Sequence, residues 1–204
     1  MKRYGKYQNG MIQTACGLRF EYLFQVPLSQ RKQSKNILVA LEGIFGAYKV
    51  VNYVLRELAG DKQYRVRLRT HPLLPLKDFQ NKLDYNFQEV PNFELSHGSS
   101  LTQDIEWSDV VIYWGSTVAL EALSMGKPVI HFDTGSVLSY DPLFECNNLK
   151  WSVRENEPLK PVIEKITSLD EDDFIRRRNA AKEYLKQYFY PVTEENLNKF
   201  IINE

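Results

Sequence analysis

From Asn36 onward, short apolar runs alternate with stretches of helical periodicity. Positions 37–41 (Ile-Leu-Val-Ala-Leu) are apolar without interruption and predict a strand buried on both faces. Positions 47–58 carry the three-to-four spacing of a helix that stops near Gly60. Positions 64–69 predict a second strand, ended by His71-Pro72 because the residue before proline is pushed out of helical geometry. A short helix over 77–83, a strand near 93–96 and a helix over 102–107 follow. The apolar run 110–113 predicts the next strand and ends in Gly115-Ser116-Thr117. An amphipathic helix carrying Glu121 comes after it. Met125-Gly126-Lys127-Pro128 closes that helix, and 129–132 predict a further strand. Positions 151–153 predict a last strand, and helices are expected over 161–169, 172–189 and 193–202. This alternation predicts a parallel sheet covered on both faces. With right-handed crossovers it is a Rossmann-like, doubly wound α/β domain with ligands at the strand C-termini.

Residues 1–35 break the rhythm. They carry Lys2, Arg3, Lys6, Arg19, Arg31, Lys32 and Lys35 against one acid, Glu21. Phe20, Tyr22, Phe24 and Val26 alternate with Glu21, Leu23 and Gln25, which predicts a short strand with one wetter face, broken by Pro27. The division is therefore a basic arm or linker over 1–35 and a Rossmann-like domain over 36–204. The arm reads either as a solvated basic segment or as a linker that meets a second domain or an anionic membrane surface.

Composition narrows the function classes. The chain of 204 residues carries 26 basic and 26 acidic side chains, so net charge makes no case for nucleic acid. Its 43% apolar and 13% aromatic residues suit an ordinary globular core. No apolar run approaches the roughly 20 residues of a membrane span, and no leader segment is expected before the fold. Cys16 and Cys146 lack CxxC spacing and read as reduced thiols of a cytoplasmic protein. His71, His97 and His131 are too scattered for a dedicated metal site.

Candidate chemistry gathers at the strand ends. A strand, a small-residue turn and a helix N-terminus make an anion site, because the first-turn N–H groups and the dipole favour negative charge. Ser116 and Thr117 add hydroxyls there, and Glu121 is placed to accept from a pair of sugar hydroxyls. The plain alternative is that Ser116 caps the helix and Glu121 is a first-turn acid. The first strand runs into Glu42-Gly43-Ile44-Phe45-Gly46, where glycines let backbone approach a phosphate or a sugar. This is not GxGxxG, so dinucleotide binding is not supported. The second strand delivers Arg69-Thr70-His71-Pro72, whose arginine and histidine can both donate to phosphate oxygens. His97-Gly98-Ser99-Ser100 follows the third strand, where a serine also suits a helix cap. Asp133-Thr134-Gly135-Ser136 reads equally as a sugar contact or a polar turn. The run from Asp170 to Arg178 reads as helix-end acids with i,i+4 pairs, Asp172 with Arg176 and Asp173 with Arg177. Tyr184, Tyr188 and Phe189 read as core.

Asp109, Gly115, Ser116, Thr117, Glu121, Ala122, Gly126, Pro128 and Ile130 together resemble the C-terminal, nucleotide-sugar-binding domain of GT-B-fold glycosyltransferases. The match is tight over 108–133 and looser over 36–150. The resemblance implies that the hydroxyl pair sits on donor phosphates and Glu121 on the ribose. It also implies that the loop Gly43 to Gly46 lines the cleft and that backbone near His97 and Gly98 reads the base. Arg69 to Pro72 is similar to the His-Pro motif of bacterial sialyltransferases, Kdo transferases of capsule synthesis and polyglycerol-phosphate polymerases. In those, the histidine contacts the phosphate of a cytidine-nucleotide donor. Gly115-Ser116-Thr117 with Glu121 is common also among UDP-sugar enzymes, so the donor is expected as CMP/CDP- or UDP-linked, with no separate cofactor and no metal.

The implied function is the donor-binding half of a glycosyltransferase of surface polysaccharide or a related glycan, working in the cytoplasm or at the inner face of the membrane. Its partners would be a nucleotide-sugar, a glycan acceptor and an acceptor domain from a missing N-terminal half or a partner subunit. In the family the catalytic base comes from that other domain, so none is named here and no activity is expected of the chain alone. The rivals are a nucleotide-binding or regulatory module without turnover, an interaction protein that lost its ligand, and a sugar-nucleotide epimerase-like domain. The epimerase pattern has a second acid where Ala122 stands.

Overall fold

The computed structural model of the chain describes residues 12–32, 34–136 and 140–201. Lys2, Arg3 and Lys6 of the basic arm, and Ile202 of the expected last helix, lie outside the described residues. Six parallel strands form one sheet: β1 (Asn36–Ala40), β2 (Arg65–Arg69), β3 (Phe93–Leu95), β4 (Val110–Tyr113), β5 (Val129–Asp133) and β6 (Lys150–Arg154). Their order is β3-β2-β1-β4-β5-β6, the Rossmann-like doubly wound arrangement that the alternation predicts. The chain starts in the middle, moves outward through β2 and β3, then returns to the other side of β1. Strand order thus reverses between β1 and β4, where crossovers leave to opposite faces and a crevice opens at the strand C-termini.

All five residues of β1 are buried, as the continuous apolar run requires of a central strand. Ile37 and Val39 face one layer, with Val50, Val54 and Leu58 of α1 (Tyr48–Leu58) and Ile163 and Ile166 of α4 (Lys160–Thr167). Leu38 and Ala40 face the other. There they meet Ile105 of α2 (Leu101–Trp107), Ala119 and Leu123 of α3 (Val118–Ser124), and Phe174 and Ala181 of α5 (Glu171–Leu185). Each such Val, Leu, Ile or Phe side chain contributes about 1.5–3 kcal/mol on burial. Gly126, at φ +78°, ends α3: its own N–H reaches Leu123 O at 3.0 Å and the Lys127 N–H reaches Ala122 O at 2.9 Å. That double closure needs a left-handed residue, which glycine supplies without strain.

Four expectations are corrected. Residues 20–26 are not a strand but follow a 3-10 helix, Leu18–Phe24. Phe20, Leu23 and Val26 recur every third residue, the period of such a helix, and pack on the α3–α5 layer, with Phe20 edge-on to Phe189 at 5.0 Å. Leu23, assigned to the wetter face by a period of two, is therefore packed. The helix expected over 77–83 is two 3-10 turns, Leu76–Asp78 and Gln80–Lys82. The helix expected over 172–189 stops at Leu185. Past it, Phe189 stays buried and the Tyr188 hydroxyl donates to Pro142 O at 2.9 Å. The last helix is shorter than expected, α6 (Glu194–Asn198).

Candidate functional site

A cleft of about 410 Å³ opens at the reversal between β1 and β4. Six residues singled out from the sequence line it together: Gly43, Arg69, His71, Gly115, Ser116 and Thr117. They come from three strand ends far apart in the chain. Glu42, Leu101 and the arm residue Arg19 line it as well. Phe45, Gly46, His97, Gly98 and Glu121 are not among its lining residues.

Close approaches explain two of the glycines. A Cβ on Gly43 would lie 2.7 Å from His71 Nδ1, and a Cβ on Gly115 would lie 2.8 Å from Tyr140 Cβ. Gly43 therefore lets the imidazole sit against the end of β1. There His71 Nδ1 accepts from the Leu73 N–H at 3.1 Å. An accepting Nδ1 leaves the proton of the neutral ring on Nε2, so the ring keeps one N–H free to donate. At the β4–α3 turn, Ser116 Oγ accepts from the Val118 N–H at 3.2 Å, while Thr117 makes no side-chain capping bond. The Ser116 hydroxyl thus holds a first-turn donor of α3 and keeps its own proton for another acceptor.

Arg69 is committed elsewhere. Its Nη1 donates to Asp104 Oδ2 and to Ser99 O at 3.1 Å. Asp104 is fully buried on α2 and also accepts from Ser96 Oγ and Ser99 Oγ, both at 2.6 Å, and from Arg67 Nη1 at 3.1 Å. Burial alone would push its carboxyl up; the serine and Arg69 hydrogen bonds and the Arg69 charge outweigh that and hold it below the usual carboxylate range. Arg67 stacks over the Trp107 ring at 4.0 Å. Arg69, and Arg67 alongside its pair with Glu94 at 2.6 Å, thus serve one carboxylate on α2, which pins that helix to the sheet. Ser99 belongs to this cluster. Ser100 caps α2, accepting from the Gln103 N–H at 3.2 Å while the Gln103 side chain returns a bond at 2.8 Å. His97 and Gly98 are exposed beside that cap.

Glu121 lies under the arm with 2% of its surface exposed. The Tyr22 hydroxyl donates to its Oε2, and Oε1 is buried without a partner. Burial and the Glu121 carboxylate push the Tyr22 phenol up. Phe45 is about half exposed on the rim, and Gly46 packs on the Trp114 ring. Asp133 is tied by Arg154 Nε at 3.0 Å and by the Gly135 N–H at 2.9 Å, as a polar turn would be. On α5, Asp173 pairs with both Arg176 and Arg177, taking the place expected for Asp172.

Glu42 is the cleft residue that sequence reasoning passed over. Both of its carboxylate oxygens are buried and unpaired. Burial raises its pKa, against a smaller opposing pull from the backbone N–H groups of Glu42 and Gly115. An acid at a strand C-terminus before two glycines was a visible signal; the missing partner was not. Among the described residues, no group of three or more His, Cys, Asp or Glu side chains is placed to hold a metal, and no helix is long and apolar enough to cross a membrane.

No protein-family model matches the chain, and no curated protein is similar to it in sequence. Solved structures do match. The glycosyltransferase SnogD from Streptomyces nogalater superposes with a TM-score of 0.56 at 15% identity, over 97% of this chain and 49% of that one. The fold is that of GT-B glycosyltransferase domains. S. aureus TarM, solved with Fondaparinux, alpha-GlcNAc-glycerol and UDP, gives a TM-score of 0.58 at 15% identity over 86% of this chain and 36% of that one. The pneumococcal O-GlcNAc transferase GtfA, solved with UDP and GlcNAc, gives 0.53 at 13% identity over 98% and 40%. The chain thus spans less than half the length of each of these GT-B neighbours.

Proposed function

We propose that the chain is the nucleotide-sugar-binding half of a glycosyltransferase of surface polysaccharide or related glycan synthesis, completed by an acceptor domain or partner subunit. One observation carries this reading: the ends of β1, β2 and β4 bring Gly43, His71 and Gly115-Ser116-Thr117 to one cleft at the reversal of strand order. Such a crevice is where open α/β sheets take nucleotides. His71 Nε2–H and the Ser116 and Thr117 hydroxyls supply donors for a diphosphate, and Arg19 and Arg69 bring positive charge. These groups would stabilise negative charge on the leaving nucleotide as the glycosidic bond breaks. The unpaired oxygen of Glu121 would take a ribose hydroxyl once Tyr22 gives way. The base that activates the acceptor belongs to the other half.

Calorimetric titration of the chain with CMP, CDP, UDP and GDP tests the reading, and no binding of any of them at about millimolar concentration, near −4 kcal/mol, sinks it. His71→Ala is expected to weaken diphosphates about tenfold and nucleosides hardly at all, the loss of one charge-assisted donor. Unchanged diphosphate affinity in that variant removes the His-Pro motif from the site.

A further inference from the structure

Glu42 stands just past β1 and lines the cleft. Among the described residues it is the one side chain whose two carboxylate oxygens are both buried and both unpaired. The charged groups that line the same cleft are Arg19 of the arm and Arg69 and His71 past β2; the β4–α3 turn brings hydroxyls and α2 brings Leu101. None of the three neutralises it. Arg69 is held by Asp104, His71 Nδ1 by the Leu73 N–H, and Arg19 lies over the Phe20 ring at 5.4 Å. A buried carboxyl with no counter-charge holds a proton more tightly than one in water. Ionised, it would also repel any phosphate entering beside it. Neutral, it can donate a hydrogen bond to an anion in the cleft.

We propose that Glu42 is a ligand-contacting residue of this cleft, which as a carboxylic acid shares its proton with a non-bridging oxygen of a bound diphosphate next to the Gly115 N–H. The proposal rests on the nucleotide reading of the cleft and gives it a property of its own: anion binding is linked to protonation of Glu42. The proton comes from solvent, sits between carboxyl and phosphate while the ligand is bound, and returns to solvent on release. Binding then draws a proton from solvent wherever free Glu42 is ionised, and affinity falls as pH climbs past the raised Glu42 value.

The test titrates the chain with UDP, uridine and inorganic pyrophosphate in buffers of differing ionisation enthalpy, from about pH 5.5 to 8, and repeats this with Glu42→Gln and His71→Gln. Glutamine keeps a donor and cannot ionise. Glu42→Gln is expected to bind UDP within about threefold of the parent at the acid end, to lose its share of proton uptake, and to hold affinity at the alkaline end. His71→Gln is expected to keep the Glu42-linked uptake, and uridine shows none of it. Urea unfolding confirms that Glu42→Gln is folded. UDP binding with parental proton uptake in Glu42→Gln overturns the proposal and leaves the nucleotide reading standing. Pyrophosphate binding with a Glu42-linked proton, where no nucleotide binds, supports the proposal and overturns the nucleotide-sugar reading.

Discussion

Asp104 and Glu42 both carry carboxylate oxygens removed from water, and their surroundings are opposite. Asp104 accepts from two serines and two arginines and is held below its usual pKa. Glu42 has only the weaker pull of the backbone N–H groups of Glu42 and Gly115, and is raised. Burial penalises both alike; the donors decide the sign. A satisfied buried charge fastens α2 to β2 and has no capacity left for a ligand. An unsatisfied one is a cost to folding, and it lines the cleft. The difference separates the structural cluster from the site although Arg69 touches both.

The largest expected effect tests the satisfied side. Asp104→Asn leaves Arg69 without its counter-charge and Arg67 with Glu94 alone, and is expected to cost about 3 kcal/mol in urea unfolding, discounted for the part-exposure of the arginines. A loss under about 0.5 kcal/mol would erase the contrast. Next comes Gly43→Ala. Its Cβ displaces the His71 ring, so diphosphate affinity is expected to fall about tenfold, near 1.4 kcal/mol, with little change in stability. Nitrogen chemical shifts of His71 report whether the Leu73 bond is lost. Glu42→Gln is smaller: with no native partner to lose, stability should stay within about 1 kcal/mol of the parent.

Last is the pH dependence of stability, where the two acids act in opposite directions. Asp104 contributes above the ordinary aspartate value of 3.8, and that contribution is lost as pH falls through its lowered folded value. Glu42 binds its proton more tightly when folded, so its contribution is present below the ordinary 4.5 and is lost as pH rises through its raised folded value. Unfolding of the parent against Asp104→Asn and Glu42→Gln across acid and neutral pH reads the two slopes; slopes of the same sign would contradict the pairing.

Much of the fold was legible because parallel strands buried on both faces leave continuous apolar runs, as at positions 37–41 and 110–113. The helix end at Gly126 and the cap at Ser100 were legible from residue type, since each answers a local backbone demand. The segment 18–26 was not. Its apolar residues fit periods of two and of three, and only the α3–α5 surface beneath it chooses between them. For the same reason the role of Arg69 was hidden: its partner Asp104 lies 35 positions away on a helix whose orientation no local pattern states.

By itself the sequence determined the strand and helix order, the turns that end in Gly43, His71 and Ser116, and the polar groups those turns carry. Backbone preference and the burial of apolar runs act over a few residues, so they are written locally. Tertiary structure alone decided that three turns share one cleft, that Arg69 is spent on Asp104, that Tyr22 covers Glu121 and that Glu42 is left without a partner. Each of these depends on distances between residues remote in sequence. The pKa of a carboxyl, and so its use, is set by which donors packing brings within about 3 Å of it.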